Sequence, residues 1–336
     1  MYDFDLPAEL VAQVPARPRD HARLLVYALA EGSITDSVFY KLDRFLPVTA
    51  TLAANNSKVE TCRWLFDDGK TEVFVLEKTD TRSLRAMVRP GRKFRAGTKL
   101  QLTEWLEAEV LAIDHDGIRT LRLNLPHDDA RLQAYEHVPL PPYITQDDSL
   151  AGEYQTVYAK PPGSLAAPTA GLHFTPKLLA KLKQSHGFAE ITLHVGLGTF
   201  AKPSPGNIAA GRLHAEQYSL DGRAARTLNA ASHITAIGTT TIRTLESVRR
   251  KADKFAAGSG ETDIFIRPGY RFMAADSIIT NFHLPNTSLL MLIAAFIADK
   301  KGLDETAAAA ELKRIYGYAI AQKYRFYSFG DAMLLV

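Results

Sequence analysis

Cysteine is all but missing from this chain: Cys62 is the only one in 336 residues. A disulfide framework within one chain is therefore excluded, thiolate zinc sites are disfavoured, and a reducing, cytoplasmic compartment is expected. Cys62 itself reads as a small buried residue. Long apolar runs are missing too. The longest, Leu289 to Ala298, falls well short of the about 20 residues that cross a bilayer. It reads as a buried core helix, and no membrane association is expected. The N-terminal Met-Tyr-Asp-Phe-Asp-Leu-Pro is acidic and lacks an apolar leader core. Neither charge sign dominates: 40 Lys and Arg face 37 Asp and Glu, a net charge of +3, so an RNA partner would have to be met by a local patch. No tandem repeat or low-complexity tract stands out. A composition 46% hydrophobic and 23% charged is that of a globular chain with a sizeable core.

What is present changes texture along the chain. Residues 1–58 open with Pro7 at the start of a short helix through Glu9 to Gln13, followed by a strand over Leu24–Leu29. Residues 59–145 hold short strand-like segments at Glu72–Leu76, Leu84–Val88, Lys99–Leu102, Glu107–Ile113 and Arg119–Leu125. Asp68-Gly69, Pro90-Gly91 and Asp116-Gly117 mark turns between them, the pattern of a small antiparallel barrel or sandwich. From residue 146 the texture becomes α/β. Thr175-Pro176 starts a helix that Gly187 ends, and Glu190–Val195 is a strand. Ile234–Ile237 feeds a helix from Thr240 to Lys254, and Ser277–His283 feeds one from Thr287 to Ala298. The expected architecture is α/β: a discontinuous larger domain, 1–58 plus 146–336, with an inserted antiparallel β-barrel domain, 59–145.

Six strings could carry chemistry. In Ala167–Phe174, small residues and Gly171 allow close backbone approach, and His173 sits at a helix mouth; a locally capping loop histidine is the plainer reading. In Leu193–Phe200, His194 precedes Gly196 and Gly198, spaced loosely like a dinucleotide fingerprint. Lys202-Pro203-Ser204-Pro205-Gly206 then follows instead of a helix, so a nicotinamide site is rejected. His214 and Glu216 share a face if their segment is a strand, as an acid–base pair or a surface pair. Gly238–Ser247 ends a strand and opens a helix with Thr239, Thr240 and Thr241, an anion site or simply a capped helix. Arg243 and Glu246 lie on one face of that helix and are placed to pair. Asn281 and His283 alternate at a strand end, flanking Phe282. Tyr324–Asp331 closes the set with Arg325 and Asp331 among core-like aromatics. No metal-ligand spacing occurs, so no metal and no bound cofactor are expected. The acid-free stretch Thr81–Lys99, with Arg89, Arg92 and Lys93, is either a phosphate-contacting face or a barrel edge guarded by cations.

Taken in order, these strings resemble the S-adenosylmethionine:tRNA ribosyltransferase-isomerases of queuosine biosynthesis. Phe4–Pro7, Leu140–Ile144, Tyr154–Ala159 and Thr262–Ile266 match as well, so the resemblance runs from about residue 3 to residue 335. It implies two domains, with S-adenosylmethionine as co-substrate and tRNA carrying 7-aminomethyl-7-deazaguanine as partner, and a chain acting as a monomer. It also implies transfer and isomerisation of the ribosyl moiety to give epoxyqueuosine, releasing adenine and methionine. Carried onto this sequence, the acid–base candidates are His173, His194, His214, Glu216 and His283. The substrate-binding candidates are Thr169, Gly171, Gly196, Gly198, Thr239, Thr240, Arg243, Glu246, Asp263, Tyr270, Asn281, Phe282, Arg325 and Asp331. The tRNA candidates are Arg89, Arg92 and Lys93. Arg243 is expected to be replaceable without loss of the fold. The family usually carries Asn-Asp-Thr-Arg-Val where this chain has Asn55-Asn56-Ser57-Lys58-Val59, and Lys-Ser-Thr where it has Asn286-Thr287-Ser288. A paralogue that binds RNA without catalysis is the alternative.

Overall fold

The structure, a computed structural model, describes residues 2–145, 147–196, 203–249 and 253–336. The chain divides into two compact units, Met1–Lys58 with Pro141–Val336, and Val59–Leu140. No helix among the described residues is long and apolar enough to cross a membrane.

The larger unit begins with β1 (Arg23–Ala28), β2 (Ser33–Val38) and β3 (Ala50–Asn55). The junction strand β4 is Lys58–Val59. The smaller unit contains β5 (Arg63–Phe66), β6 (Thr71–Lys78), β7 (Ser83–Arg89), β8 (Lys99–Gln101), β9 (Glu107–Ile113), β10 (Arg119–Leu123) and β11 (Glu136–His137). They form one antiparallel sheet in the order β11-β5-β6-β7-β10-β9-β8. Alternation drives it: Thr71, Val73 and Val75 of β6 are buried while Glu72, Phe74 and Leu76 are partly exposed. Bulges between Val75 and Glu77 and between Thr120 and Leu121 add twist and curl the sheet. Among the described residues no ladder joins β8 to β11, so the sheet is open where a barrel was expected. With edge strands of three and two residues, there is too little backbone to close it. Cys62 is buried here, which pushes its thiol up to about 12.

The larger unit resumes with β12 (Pro162–Ser164), α1 (Pro176–Ser185), β13 (Gly187–Leu193), α2 (Pro205–Ala210), β14 (Arg212–Leu220), α3 (Gly222–Ala230), β15 (His233–Ile237) and α4 (Thr239–Arg249). Then come β16 (Gly258–Ile264), β17 (Ser277–Asn281), α5 (Ser288–Lys301), α6 (Glu305–Ala321) and β18 (Ala332–Leu335). Nine strands make one mixed sheet, β16-β14-β13-β3-β15-β17-β18-β1-β2. Its central strands are buried on both faces, whereas β2 at one edge is largely exposed. Leu24 and Val26 join one core with Leu52, Ile237, Phe174 and Leu182, while Leu25 and Tyr27 join the other with Ile191, Ile278 and the run Leu292–Ile297 of α5. Local chemistry sets the helix ends: Thr175 accepts from Leu178 N–H above Pro176, and Thr287 accepts from Leu290 N–H.

Two local expectations change. After Pro7 only a single 3-10 turn forms, Ala8–Leu10, because the following backbone is taken up by a bridge between Val11 and Phe326, with Phe326 N–H donating to Leu10 O. A helix also does follow the Gly196 segment: α2, with Pro205 in its first turn, Ser204 and Asn207 capping each other, and no buried residue.

Candidate active site

β13, β3, β15 and β17 are neighbours and run parallel. Their carboxyl ends, Leu193, Asn55, Ile237 and Asn281, therefore fall along one edge of the sheet, the side where open α/β sheets bind ligands. The 3-10 turn Thr169–His173 packs onto this edge, with Ala170 set against Gly238 (φ +90°) at the start of α4. Gly171 is required here, because a side chain would collide with the buried Tyr158 hydroxyl. Three of the sequence strings thus come together, from residues 169–173, 238–243 and 280–283.

His173 is 4% exposed and packs on Phe39, with ring centroids 5.0 Å apart. Its Nε2 lies 3.1 Å from Asn281 Nδ2, which also donates to Tyr327 O at 3.0 Å. His283 is 8% exposed and its Nε2 lies 2.7 Å from Thr280 Oγ1. Desolvation, with Arg325 and Arg19 nearby, pushes His173 down to about 3; desolvation alone takes His283 to about 3. Both rings are neutral at physiological pH. Beside His283 is a crevice of about 40 Å³, lined also by Tyr143, Thr169, Asn281, Phe282, Thr287 and Tyr327. The Tyr143 and Tyr327 rings lie 4.5 Å apart, and the Tyr143 hydroxyl meets Ser328 Oγ at 2.7 Å.

A second cluster lies at the β13 end. Gly196 N–H donates to Glu216 Oε1 at 2.9 Å, and Arg243 donates to Glu216 Oε2. Arg243 and Glu216 are 4% and 5% exposed. This corrects the expected Arg243–Glu246 pair. Glu246 instead accepts from Tyr270 Oη at 3.0 Å and from the backbone N–H groups of Met273, Ala274 and Ala275. It also corrects the His214–Glu216 pair: the ladder shifts register between Arg212 and Glu216, leaving His214 exposed and turning Glu216 inward.

Several other candidates are held in structural contacts. Asp331, 2% exposed, accepts from the N–H groups of Arg23 and Arg325, and Arg325 also reaches Val14 O. The ring of Phe282, one of the substrate-binding candidates, is packed among Tyr316, Tyr324 and Phe326 at 5.6, 5.5 and 5.1 Å. Asp263 pairs with exposed Arg212 at 3.6 Å. His194, half-buried, donates its N–H to Gln217 O and sets its ring over Gly163. Thr239 and Thr240 open α4, both buried. Gly198 lies outside the described residues. In the smaller unit, Arg89 pairs with Glu72 at 3.0 Å and Lys93 with Asp67 at 3.6 Å; among the described residues Arg92 has no carboxylate partner.

Sequence reasoning passed over Asn55, Thr280, Tyr143 and Tyr327. Asn55 accepts from Leu193 N–H and Ser57 N–H, and donates to Leu193 O at 3.0 Å and toward Thr240 Oγ1 at 3.4 Å, so it ties the ends of β3 and β13 to the first turn of α4. Its neighbour Asn56 stands at the departure noted above. Asn56 donates to Glu190 Oε2 at 3.1 Å and accepts from Thr192 Oγ1 at 2.7 Å, while Lys160 bonds the same Glu190 at 2.5 Å. Burial raises the Glu190 pKa, but Lys160 and Asn56 outweigh it and hold the carboxylate below its usual range. Asn56→Asp would set two carboxylates face to face. It should cost about 1–3 kcal/mol near neutral pH. Denaturant unfolding should show the deficit shrinking as pH falls and one carboxylate of the pair takes a proton; equal stability of the two forms near pH 7 would contradict this account.

A mixed α/β unit with its candidate groups at parallel strand ends and a separate antiparallel unit define the class. The family model described as Queuosine biosynthesis protein matches residues 1–335. The S-adenosylmethionine:tRNA ribosyltransferase-isomerase of Moorella thermoacetica is 44% identical, over 100% of this chain and 98% of that protein. The protein of the same name from Carboxydothermus hydrogenoformans is 41% identical over the same shares. A crystal structure of S-adenosylmethionine tRNA ribosyltransferase from Thermotoga maritima is 34% identical with a TM-score of 0.56, covering 100% of this chain and 99% of that one. This chain belongs to the queuosine biosynthesis protein family.

Proposed function

We propose that this chain catalyses the S-adenosylmethionine:tRNA ribosyltransferase-isomerase reaction. It moves the ribosyl moiety of S-adenosylmethionine onto 7-aminomethyl-7-deazaguanine in the wobble position of tRNA, gives epoxyqueuosine, and releases adenine and methionine. The observation that carries this reading is the similarity, along the whole chain, to relatives named for that activity. The two compact units would be its two domains, and S-adenosylmethionine is a substrate rather than a resident cofactor. Its sulfonium acidifies the adjacent 5′ carbon, so a neutral imidazole is base enough to remove a proton there. Adenine leaves more easily if a donor meets it. His173 and His283 are the groups we assign to this proton traffic, with the Thr239–Thr240 end of α4 receiving the methionine carboxylate. Arg243 is already neutralised by Glu216 and fits that last role less well. The reaction would be run by a monomer in the cytoplasm, where its tRNA is. Mass spectrometry of precursor tRNA incubated with the protein and S-adenosylmethionine tests the reading: the epoxyqueuosine mass should appear, and an unchanged tRNA verified as substrate for a relative would refute it.

The tRNA contact we propose includes the smaller unit, where Arg92 is the least committed of the three candidate cations. Arg92→Ala should lower the slope of log affinity against log salt by about one. Arg89→Ala and Lys93→Ala should change it less, because Glu72 and Asp67 already neutralise those side chains. An Arg92→Ala slope equal to that of the parent protein would assign the patch to solvation.

A further inference from the structure

We infer that Asn281 and Thr280 are positioning residues that lock two histidines in opposite neutral tautomers, so that His173 presents a proton donor and His283 a proton acceptor. The argument is proton counting. Asn281 Nδ2 lies 3.0 Å from Tyr327 O and 3.1 Å from His173 Nε2. A carbonyl only accepts, so the amide cannot be flipped: its oxygen would then face another oxygen. With Nδ2 fixed toward Tyr327, its second hydrogen points at His173 Nε2, which must carry a lone pair. The ring proton of His173 is therefore on Nδ1. Tyr327 adopts φ +71°, a left-handed conformation that costs a non-glycine residue energy; its backbone is held there with Tyr327 N–H on Phe282 O. Asn281 Oδ1 remains buried with no partner, an acceptor left over once the amide is oriented this way.

Thr280 makes the opposite choice for His283. Its hydroxyl has one proton and two neighbours, Asn281 O at 3.2 Å and His283 Nε2 at 2.7 Å. Asn281 O can only accept, and in the inferred arrangement the hydroxyl donates there and receives from His283 Nε2–H; a hydroxyl donating to His283 Nε2 instead is the opposite outcome that the test below reads. In the inferred arrangement the lone pair of His283 is on Nδ1, and His283 lines the crevice. Adjacent residues at one strand end thus specify a donor on one ring and an acceptor on the other. Burial keeps both rings uncharged and preserves that division.

The assignment of these rings to catalysis rests on the activity proposed above, but the tautomers do not, and the test separates the two. Long-range ¹H–¹⁵N correlation spectra of the histidine-labelled full chain near pH 7, assigned with His173→Gln and His283→Gln, should show His173 protonated on Nδ1 and His283 on Nε2. Either ring in the other tautomer overturns the inference, whether or not the protein turns over tRNA. Thr280→Val should leave His283 in a mixture of tautomers and lower kcat by roughly 10-fold or more, with KM for S-adenosylmethionine within about twofold, and Thr280→Ser should restore both. A loss in Thr280→Val of stability alone, with the His283 tautomer and kcat retained, would reduce Thr280 to a packing residue and overturn its part.

Discussion

Glu216→Ala should lower the unfolding free energy by about 3–5 kcal/mol, the usual penalty for breaking a buried ion pair from one side. Arg243 and Glu216 are 4% and 5% exposed. Their attraction offsets the loss of hydration only while both charges are present, and Arg243 Nε is buried without a partner as it stands. Removing Glu216 strands a guanidinium in the core and orphans Gly196 N–H. Arg243→Ala strands the carboxylate and should be comparably severe, so the fold is not indifferent to Arg243 as its sequence position suggested. Arg243→Met combined with Glu216→Leu should recover much of the loss, because no charge is left behind. Denaturation midpoints at constant slope measure all three. A shift worth under about 1 kcal/mol for either single variant would show that water reaches the pair.

Acidification should destabilise the protein well before its carboxylates protonate. His173 and His283, held at about 3 in the folded chain against 6.5 when exposed, stay neutral on folding. Below 6.5 the unfolded chain binds protons that the folded chain refuses, so stability falls as pH falls, by up to about 1.4 kcal/mol per unit for each ring. From pH 6.5 to 5 the two together should remove about 3 kcal/mol. His233, lowered by partial burial, adds in the same direction. Carboxylates with depressed values, Asp36, Asp43, Glu190 and Glu311, contribute their loss only below about 4. Urea unfolding across this window should show the slope, and His173→Gln/His283→Gln should flatten it. Constant stability of the parent from pH 6.5 to 5 would mean that the rings are hydrated.

Features written in adjacent residues were legible in the sequence. Thr175-Pro176 and Thr287 announce helices through capping chemistry that needs no distant partner, and the Asp68-Gly69 turn joins strands next to each other in sequence. What escaped depends on sheet order. Asn55 reads as one polar residue after a strand, and only the placement of β3 between β13 and β15 brings it to Leu193, 138 positions away. Glu246, three residues from Arg243, looked like its partner; a register shift in β14 supplied Glu216 instead. The left-handed Tyr327 that aims a carbonyl at Asn281 has no signal in residue type. The open edge of the smaller sheet follows from strand lengths that periodicity does not delimit.

The position of β18 bears on the order in which the molecule can be made. The β1–β2 hairpin meets the rest of the nine-stranded sheet only through β18, and Arg23 N–H is satisfied by Asp331, 308 positions later. During synthesis that hairpin emerges early and waits with one flank unpaired, whereas strands β5 to β11 find all their sheet partners among themselves and can complete those ladders on the ribosome. The waiting flank is a sticky edge, open to pairing with another nascent chain until β18 arrives. Stalled translation upstream of β18 would therefore be expected to yield a folded small unit attached to an aggregation-prone remainder.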